Sequence, residues 1–305
     1  MTETPPQIFD MDQLVHNRNR AAENFEKFAF LKQAAVERLE DKLMLVRRTF
    51  SDVLDVGCHS GQMVQMLRAS GKLTPTHTFL QTDISAGFCD IAGRIAPAVV
   101  SPAETLPVEP AHYDAVVSAL FLHWVNDVLG LLTQMRLALR PDGLLLVCLF
   151  GGRTLNELRQ CLAEAETEVR GGMSARCAPM ADIRDIGGLL QRAGLALPVA
   201  DAELITVTYP NMFRLMADLK GMGEQNVLCG KELHVARRDI FLRAAELYQE
   251  RFSTEDRQIK ASFELITLTG WAPHASQQKP LARGSATHSL LEAFDAEQNG
   301  PQKTD

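Results

Sequence analysis

Short apolar runs alternate with amphipathic segments through the first half of the chain. Apolar residues recur at three- or four-residue spacing within 17–47, which predicts an amphipathic helix ahead of the main fold. Helical patterns near 62–69, 86–95 and 126–139 then separate five apolar runs. The strands predicted from these runs are Val53–Val56, Thr78–Gln81, Ala98–Val100, Ala115–Ser118 and Leu144–Phe150. Strand–helix alternation of this kind predicts a parallel sheet that is covered on both faces.

The second half of the chain is less regular. Two late runs, Glu203–Tyr209 and Phe263–Trp271, predict strands that bring the sheet to seven. The predicted helices of this half cover residues 155–169, 182–193, 211–220 and 232–252. We therefore predict a helical extension and one Rossmann-like α/β domain with helical lid insertions, followed by a disordered polar tail. The predicted boundaries are 1–45, 46–290 with insertions at about 154–195 and 211–255, and 291–305.

Composition places the chain among ordinary globular proteins, with 46% apolar and 23% charged residues among 305. Its 31 basic and 38 acidic side chains give a net charge of −7, which disfavours nucleic-acid binding because that requires a basic surface. The cysteines form no CxxC pair, as expected of free thiols in a reducing compartment. No apolar run reaches the roughly 20 residues of a membrane helix, and the first residues lack a targeting pattern. We expect a cytoplasmic protein without an integral membrane segment; peripheral attachment to a membrane stays open.

A glycine turn directly after the first strand is the most informative local sequence. Residues 53–61 read Val-Leu-Asp-Val-Gly-Cys-His-Ser-Gly. Ligands of open parallel sheets bind beyond the carboxyl ends of the strands. Gly57 would let the backbone approach such a ligand closely, and Gly61 would let the next helix pack against the strand. The turn lacks the Gly-x-Gly-x-x-Gly spacing that is typical of dinucleotide sites.

Two acidic residues indicate which ligand binds at this turn. Asp83 follows the second strand, 28 residues after Asp55, and a carboxylate there can accept hydrogen bonds from both hydroxyls of a ribose. Asp55 would repel a pyrophosphate but suits a ligand that carries an ammonium and a sulfonium. Those charges belong to S-adenosylmethionine, which is therefore the predicted cofactor.

The segment after the fourth strand, Leu122-His123-Trp124-Val125-Asn126-Asp127, resembles the class I S-adenosylmethionine-dependent methyltransferases. More narrowly, the chain resembles the branch that holds the malonyl-carrier-protein methyltransferase of biotin synthesis and the complex I assembly factor 5 group, arginine hydroxylases of NADH:ubiquinone oxidoreductase assembly. The stretches that favour the assembly-factor group are Ile8–Asp10, Phe150–Arg159, Leu215–Glu224, Gly270-Trp271, Ser276-Gln277 and Arg283–Thr287. The resemblance implies a bacterial relative whose sheet is mostly parallel with an antiparallel last strand pair.

Two residues depart from the family pattern. His59 stands where the second glycine of the turn is usual, and Pro102 stands where an acid usually binds the adenine. The residues that follow Pro102 are the remaining candidates for an adenine contact. The predicted cofactor-binding residues are Asp55, Gly57, Cys58, Gly61, Asp83, Ile84, Ala103 and Glu104.

The resemblance leaves three functions open. The first is methyl transfer to a protein or a carrier-bound substrate, with a complex I subunit as a candidate partner. Leu122, His123 and Trp124 would then line the substrate pocket, and His123 is the candidate general base. The second is arginine hydroxylation, which needs an oxygen-activating group. The third is a non-catalytic assembly chaperone, which the departures at His59 and Pro102 keep open.

A metal site for hydroxylation would need a His-x-Asp facial triad. His112-Tyr113-Asp114 matches that pattern, and the candidates for a third ligand are His234, His274 and His288. The entrance to the fourth strand already explains Tyr113 and Asp114, so we predict no metal ligand. The loop Arg283–Thr287 is a candidate contact to substrate or partner, with a structural cap as the alternative.

Overall fold

Seven strands pair into one sheet in the computed structural model, which describes residues 7–230 and 237–278. They are β1 (Phe50–Val56), β2 (Leu73–Asp83), β3 (Ala98–Val100), β4 (Tyr113–Ala119), β5 (Leu139–Phe150), β6 (Ala196–Tyr209) and β7 (Ile259–Trp271). Their order is β3-β2-β1-β4-β5-β7-β6. Neighbours from β3 to β5 run parallel, whereas β7 is antiparallel to both β5 and β6. The predicted fold class, a mostly parallel seven-stranded α/β sheet with an antiparallel last pair, is confirmed.

The central strands are apolar along most of their length because helices cover both faces of the sheet. Residues 53–56 of β1 and 115–119 of β4 are buried. Three strands begin five or more residues earlier than predicted: β2 at Leu73, β5 at Leu139 and β6 at Ala196. Polar and partly exposed residues in these first stretches hide the apolar pattern from which the strands were predicted.

Helices flank the sheet and also precede it. The described ones are α1 (Met11–Ala22), α2 (Phe30–Leu45), α3 (Gln62–Ala69), α4 (Ala86–Ala92), α5 (Val128–Ala138), α6 (Asn156–Arg170), α7 (Ile183–Arg192), α8 (Met212–Met222) and α9 (Arg238–Phe252). Within the described part of the chain, no helix combines the length and the apolar character that crossing a bilayer requires.

The single helix predicted over 17–47 is wrong: α1 and α2 are separate helices, with a 3-10 turn at Phe25–Lys27 between them. At this turn the Phe25 ring packs edge-on against Phe88, with ring centres 5.0 Å apart, and at a tilt of 30° against the His59 ring at 5.2 Å. Phe25 also fits the apolar spacing of an unbroken helix, so the sequence pattern alone does not reveal the break.

Hydrogen bonds from backbone N–H groups hold the segment before α1 to distant parts of the chain. The Asn126 Oδ1 accepts the N–H groups of Ile8 and Phe9, each at 2.7 Å. The N–H of Asp10 donates to the Val227 carbonyl at 2.8 Å, and the Asp10 carboxylate caps the first turn of α1. The position at which α1 begins is therefore set by the segments around Asn126 and Val227.

Glu166 on α6 holds the loop that follows that helix. Its carboxylate, 1% exposed, accepts hydrogen bonds from Arg176 at 2.6 and 2.9 Å and from the Ser174 hydroxyl at 2.7 Å. Burial alone would raise the pKa of Glu166, but the hydrogen bonds from Arg176 and Ser174 lower it to about 2. This loop forms one wall of the large cavity described below.

We predict that Glu166→Gln lowers the free energy of unfolding by roughly 2 kcal/mol at pH 7. Because the pKa is lower in the folded chain, the stabilisation is complete above about pH 5 and is lost as the pH falls toward 2. Urea unfolding at pH 7 and pH 3 measures it. Glu168→Gln, an exposed change on the same helix, is the matched control and should have far less effect. Equal losses for the two variants would contradict the prediction.

Candidate functional site

The carboxyl ends of β1, β2 and β4 meet at one edge of the sheet. We call Asp55, residues 57–61 and Asp83 the strand-end cradle. Gly57 has φ +75°, and a Cβ built there would lie 2.3 Å from the Phe121 side chain. The turn therefore needs glycine at 57 both for its left-handed backbone and for the close approach of Phe121. Its first two N–H groups, at residues 57 and 58, donate to the Thr82 carbonyl at 2.8 and 3.0 Å.

Asp55 carries a buried carboxylate that has no local hydrogen-bond partner. The residue is 0% exposed, and neither of its oxygens is hydrogen-bonded to any described residue. Burial raises the pKa of Asp55 to about 7, although the nearby positive charge of Lys32 acts to lower it. A buried, unsatisfied carboxylate is costly to the fold, so it marks a position that a cationic ligand would complete.

Asp83 is fully bonded to groups of the chain itself. Its two oxygens accept from Arg18 Nε at 3.2 Å and Nη2 at 2.7 Å, and from the backbone N–H groups of His59 at 3.1 Å and Ser85 at 3.0 Å. Arg18 comes from α1 and is 1% exposed, with its guanidinium 5.3 Å from the centre of the Phe88 ring. This is a bidentate, buried ion pair between the N-terminal helix and the tip of β2.

Lys32 of α2 brings a second cation to the same cradle. Its Nζ donates to the carbonyls of Ala119 at 2.6 Å and Gly57 at 3.2 Å, and lies 3.1 Å from His59 Nδ1. Burial lowers the pKa of Lys32 to about 8. Burial, with Arg18 and Lys32 close by, holds the pKa of His59 well below its usual range, so the imidazole is neutral. The cradle thus contains two carboxylates and two cations, all buried.

Sequence reasoning assigned no role to Arg18 or Lys32, although a signal was present. Arg18 stands on the apolar face of α1, four residues after the buried Leu14, and Lys32 stands on that of α2 beside the buried Leu31. A cation within the apolar stripe of an amphipathic helix is rarely buried without a partner. The positions of Arg18 and Lys32 in the sequence therefore indicate that each has a buried partner of opposite charge.

Comparison with known proteins identifies the family. A family model described as a methyltransferase domain matches residues 54–147, from within β1 to within β5. Over 93% of its length the chain is 39% identical to "Arginine-hydroxylase NDUFAF5, mitochondrial" of Homo sapiens, and the match covers 83% of that protein. The chain belongs to the class I S-adenosylmethionine-dependent methyltransferase family.

A second group of relatives carries a different name. The chain is 30% identical to the "Malonyl-[acyl-carrier protein] O-methyltransferase" of Laribacter hongkongensis, over 87% of this chain and 91% of that protein. Among solved structures, the YcgJ protein of Bacillus subtilis matches with a TM-score of 0.54 at 12% identity, over 78% of this chain and 98% of that one. That likeness concerns the fold alone.

The family's cofactor is S-adenosylmethionine, and the cradle in this conformation fits it only in part. The free oxygens of Asp55 and the glycine turn suit a cationic ligand. Asp83 does not, because Arg18 already occupies both of its oxygens. Cys58, His59, Ile84 and Ala103 are also buried in this conformation. In this conformation the N-terminal helices occupy the place predicted for the cofactor.

Glu104, the last of the predicted adenine contacts, is engaged elsewhere. Its Oε1 accepts from the backbone N–H groups of Asn126 at 2.8 Å and Asp127 at 3.3 Å. The Glu104 carbonyl accepts from the side chain of Gln134 at 2.8 Å. Glu104 therefore links the loop after β3 to the turn that opens α5.

The predicted substrate-pocket residues form a buried group with Glu224, to which sequence reasoning assigned no role. Glu224 Oε2 lies 3.0 Å from His123 Nε2 and accepts from Trp124 Nε1 at 2.7 Å. His123 Nδ1 is buried with no hydrogen-bond partner among the described residues, and Leu122 is fully buried. Glu224 thus favours the tautomer that carries the proton on Nε2 and leaves the Nδ1 lone pair free. One indication of a role for Glu224 is present in the sequence: it lies in the stretch Leu215–Glu224, which resembles the assembly-factor group.

A cavity of about 660 Å³ lies on one side of Glu224, between α6, α8 and the loops 174–180 and 224–230. Trp124 and Glu224 belong to its wall. On the other side, Glu224 lines a small space of about 10 Å³ together with Lys32 and His59 of the cradle region. Glu224 therefore stands between the strand-end cradle and the large cavity.

The His-x-Asp pattern lies at the amino end of β4, opposite the cradle. Asp114 accepts from the Ser51 N–H at 3.0 Å and from Arg140 at 2.9 Å, which ties β4 to the start of β1. No group of three or more potential metal ligands occurs among the described residues. His234, His288 and the loop Arg283–Thr287 lie outside the described residues.

We predict that Asp55→Asn gains stability over the wild type as the pH rises. The pKa of Asp55 is higher in the folded chain, so its stabilising protonated form is complete below about pH 4 and is lost as the pH rises through about 7. Between pH 4 and 7.5, the free energy of unfolding of the variant relative to that of the wild type should rise by roughly 3 kcal/mol. Urea titrations at several pH values measure it. A difference that is constant from pH 4 to 7.5 would contradict the assignment.

Proposed function

We propose that this chain is an S-adenosylmethionine-dependent methyltransferase that acts on a protein or carrier-bound acceptor during assembly of respiratory complex I. Family membership supports the reaction class, and the resemblance to the assembly-factor group supports the setting. The observation that carries the proposal is the Asp55 carboxylate, buried and without a partner beside the Gly57 turn. A ligand that brings positive charge or hydrogen-bond donors to this place would satisfy it.

The proposed cofactor site includes Asp55, Gly57, Cys58, Gly61 and Asp83. In the proposed cycle, Arg18 and Lys32 withdraw from the cradle when the cofactor enters. The ammonium of Lys32 now bonds the carbonyls of Gly57 and Ala119, which is the chemistry that an amino-acid ligand would also bring there. Ile84, Ala103 and Glu104 stay candidates for the adenine end.

When bound, the cofactor supplies a methyl group on a sulfonium, which is already activated for transfer. The remaining task for the chain is to position the acceptor and, for some acceptors, to remove a proton. Leu122 and Trp124 form the proposed apolar wall, and His123 Nδ1 is the proposed proton acceptor. Glu224 fixes the imidazole for that role through Nε2.

The two partners of the buried ion pair should have opposite effects on cofactor affinity. Asp83→Asn removes a proposed ligand and should weaken binding of S-adenosylmethionine at least tenfold, about 1.4 kcal/mol. Arg18→Gln removes the group that competes for Asp83 and should tighten binding, because it destabilises the closed conformation. Isothermal titration calorimetry measures both.

The double variant Arg18→Gln/Asp83→Asn controls for folding, since it leaves no unpaired buried charge. It should show a cooperative thermal unfolding transition and bind the cofactor as weakly as Asp83→Asn alone. If both single variants change affinity in the same direction, Asp83 and Arg18 form only a structural pair and the proposed site is wrong.

A second candidate function is arginine hydroxylation, which the printed name of the human relative favours. Peptide mass mapping of complex I subunits from cells with and without this protein separates the functions. Methyl transfer predicts that one residue loses the mass of a methylene group when the protein is absent, and hydroxylation predicts the loss of one oxygen atom. Loss of assembly with no mass change in any complex I subunit or carrier-bound acyl group would instead support the non-catalytic chaperone.

A further inference from the structure

We propose that Cys58 and Cys89 form a redox site: a low-molecular-weight disulfide such as oxidised glutathione joins the two thiols, and the resulting bond locks the strand-end cradle closed. All six cysteines of the chain are free thiols here, so the structure shows the reduced state of this site. The effect on the cradle rests on the proposed function, whereas the disulfide itself does not.

The two thiols meet beside the tip of β2. The N–H of Cys58 donates to the Thr82 carbonyl at 3.0 Å, and the Cys89 Sγ lies 3.8 Å from the Asp83 carbonyl oxygen. The two thiols are hydrogen-bonded to each other. Sulfur atoms in such contact need only a small side-chain rotation to reach the roughly 2 Å of a disulfide bond.

The hydrogen bond between the thiols gives them different reactivities. It lowers the pKa of the Cys89 thiol, against the effect of burial. The same hydrogen bond, together with burial, raises the pKa of the Cys58 thiol well above its usual range. Cys89 is 7% exposed and Cys58 is 0% exposed. Cys89 is therefore the thiolate that attacks the oxidant, and Cys58 is the thiol that resolves the intermediate.

The oxidation proceeds in two exchange steps that conserve atoms and electrons. The Cys89 sulfur attacks one sulfur of oxidised glutathione, so that a mixed disulfide forms and one glutathione thiolate leaves. The Cys58 sulfur then attacks the Cys89 sulfur, which breaks the mixed disulfide and releases the second glutathione. The two cysteine protons end on the two glutathione thiols. The cysteine pair thus gives up the two electrons that reduce the glutathione disulfide.

Burial makes three of the other four cysteines poor nucleophiles. It raises the pKa of Cys148 to about 12 and that of Cys161 to about 11, and it also raises the pKa of Cys177. Cys229 is exposed. Because Cys177 and Cys229 both line the large cavity, they are the rival pair in any test of this site.

A bond between Cys58 and Cys89 would hold two hydrogen-bond donors against Asp83. His59, the residue after Cys58, donates its backbone N–H to Asp83 Oδ2 at 3.1 Å. Ser85, which caps α4, donates its backbone N–H to Asp83 Oδ1 at 3.0 Å. Since Cys89 belongs to α4, the disulfide fixes the glycine turn and this helix around the carboxylate. Asp83 then keeps its bonds within the chain, and its oxygens stay closed to a cofactor.

Peptide mapping tests the disulfide directly, because the tryptic peptides 49–68 and 73–94 carry one cysteine each. The full-length protein is incubated with oxidised glutathione, quenched with N-ethylmaleimide and digested without reductant. We expect these two peptides to be linked, and the intact mass before alkylation to be lower by two hydrogen atoms. Dithiothreitol should reverse both changes. The same oxidation in urea, where the native contacts are lost, should give mixed pairings.

Cys89→Ser should abolish the linked peptides, whereas Cys161→Ser, a matched change of a buried thiol on α6, should leave them unchanged. Oxidation of the wild type should raise the midpoint of thermal unfolding by about 5 °C, because Cys89 lies 31 residues after Cys58 and the bond closes that loop in the unfolded chain. Oxidation should also weaken binding of S-adenosylmethionine by roughly tenfold or more, and Cys89→Ser should show neither effect.

The inference is overturned if oxidation of the folded protein yields only glutathione adducts, joins Cys177 to Cys229 instead, or gives the same mixture as in urea. It is also overturned if the disulfide forms without raising the unfolding midpoint, or without weakening a cofactor affinity that the reduced protein possesses. The mapping and unfolding measurements need no cofactor. A disulfide that raises the midpoint in a protein that binds no S-adenosylmethionine in either state would refute the proposed function and leave the redox site standing.

Discussion

The buried ion pair between Arg18 and Asp83 is the constraint on which the site depends. A charge in a protein interior is tolerated only with a well-placed partner, and breaking such a pair on one side costs several kcal/mol. The pair ties α1 to the tip of β2, and Lys32 ties α2 to the tips of β1 and β4. The N-terminal helices are therefore part of the site and not an appendage to the sheet. In the proposed site, a cofactor would compete with these two cations for the same carboxylates.

Glu224 connects this charged region to the rest of the molecule. It follows α8, and the glycine before it, Gly223, ends that helix in the left-handed conformation with φ +82°. A Cβ at Gly223 would lie 3.2 Å from Ala21 of α1. The end of α8 thus touches the helix that carries Arg18, while the next residue orients His123. Movement of α1 away from the cradle would therefore change the packing at the end of α8.

Much of the sheet was predictable because its central strands are buried on both faces and read as continuous apolar runs. The glycine turn was predictable for the same local reason: a strand, a left-handed turn and a helix leave a short signature. The strand starts at Leu73, Leu139 and Ala196 were not, because the polar and partly exposed residues of these first stretches carry no periodic pattern. Those segments are held by pairing to neighbours distant in sequence, which a local pattern does not record.

The chemistry of the site was predictable only at the strand tips. The burial of Asp55 and Asp83 follows from their places at the ends of buried strands. The partner of Asp83 follows from a tertiary contact that spans 65 residues, and the contact between His123 and Glu224 spans 101. The break at Phe25 escaped detection because a phenylalanine that ends a helix and one that continues it occupy the same apolar position. The sequence likewise does not reveal that the Glu104 carboxylate, a predicted adenine contact, accepts hydrogen bonds from the turn before α5.

The order of the chain gives the buried cations a consequence for biosynthesis. Arg18 and Lys32 leave the ribosome before the carboxylates that neutralise them, since Asp55 and Asp83 are translated later. Until both strand tips exist, desolvating these two side chains is unfavourable, and α1 and α2 must wait with their charged groups in water. These two helices are thus translated before the strands that hold them, yet they reach their native places only after those strands have formed.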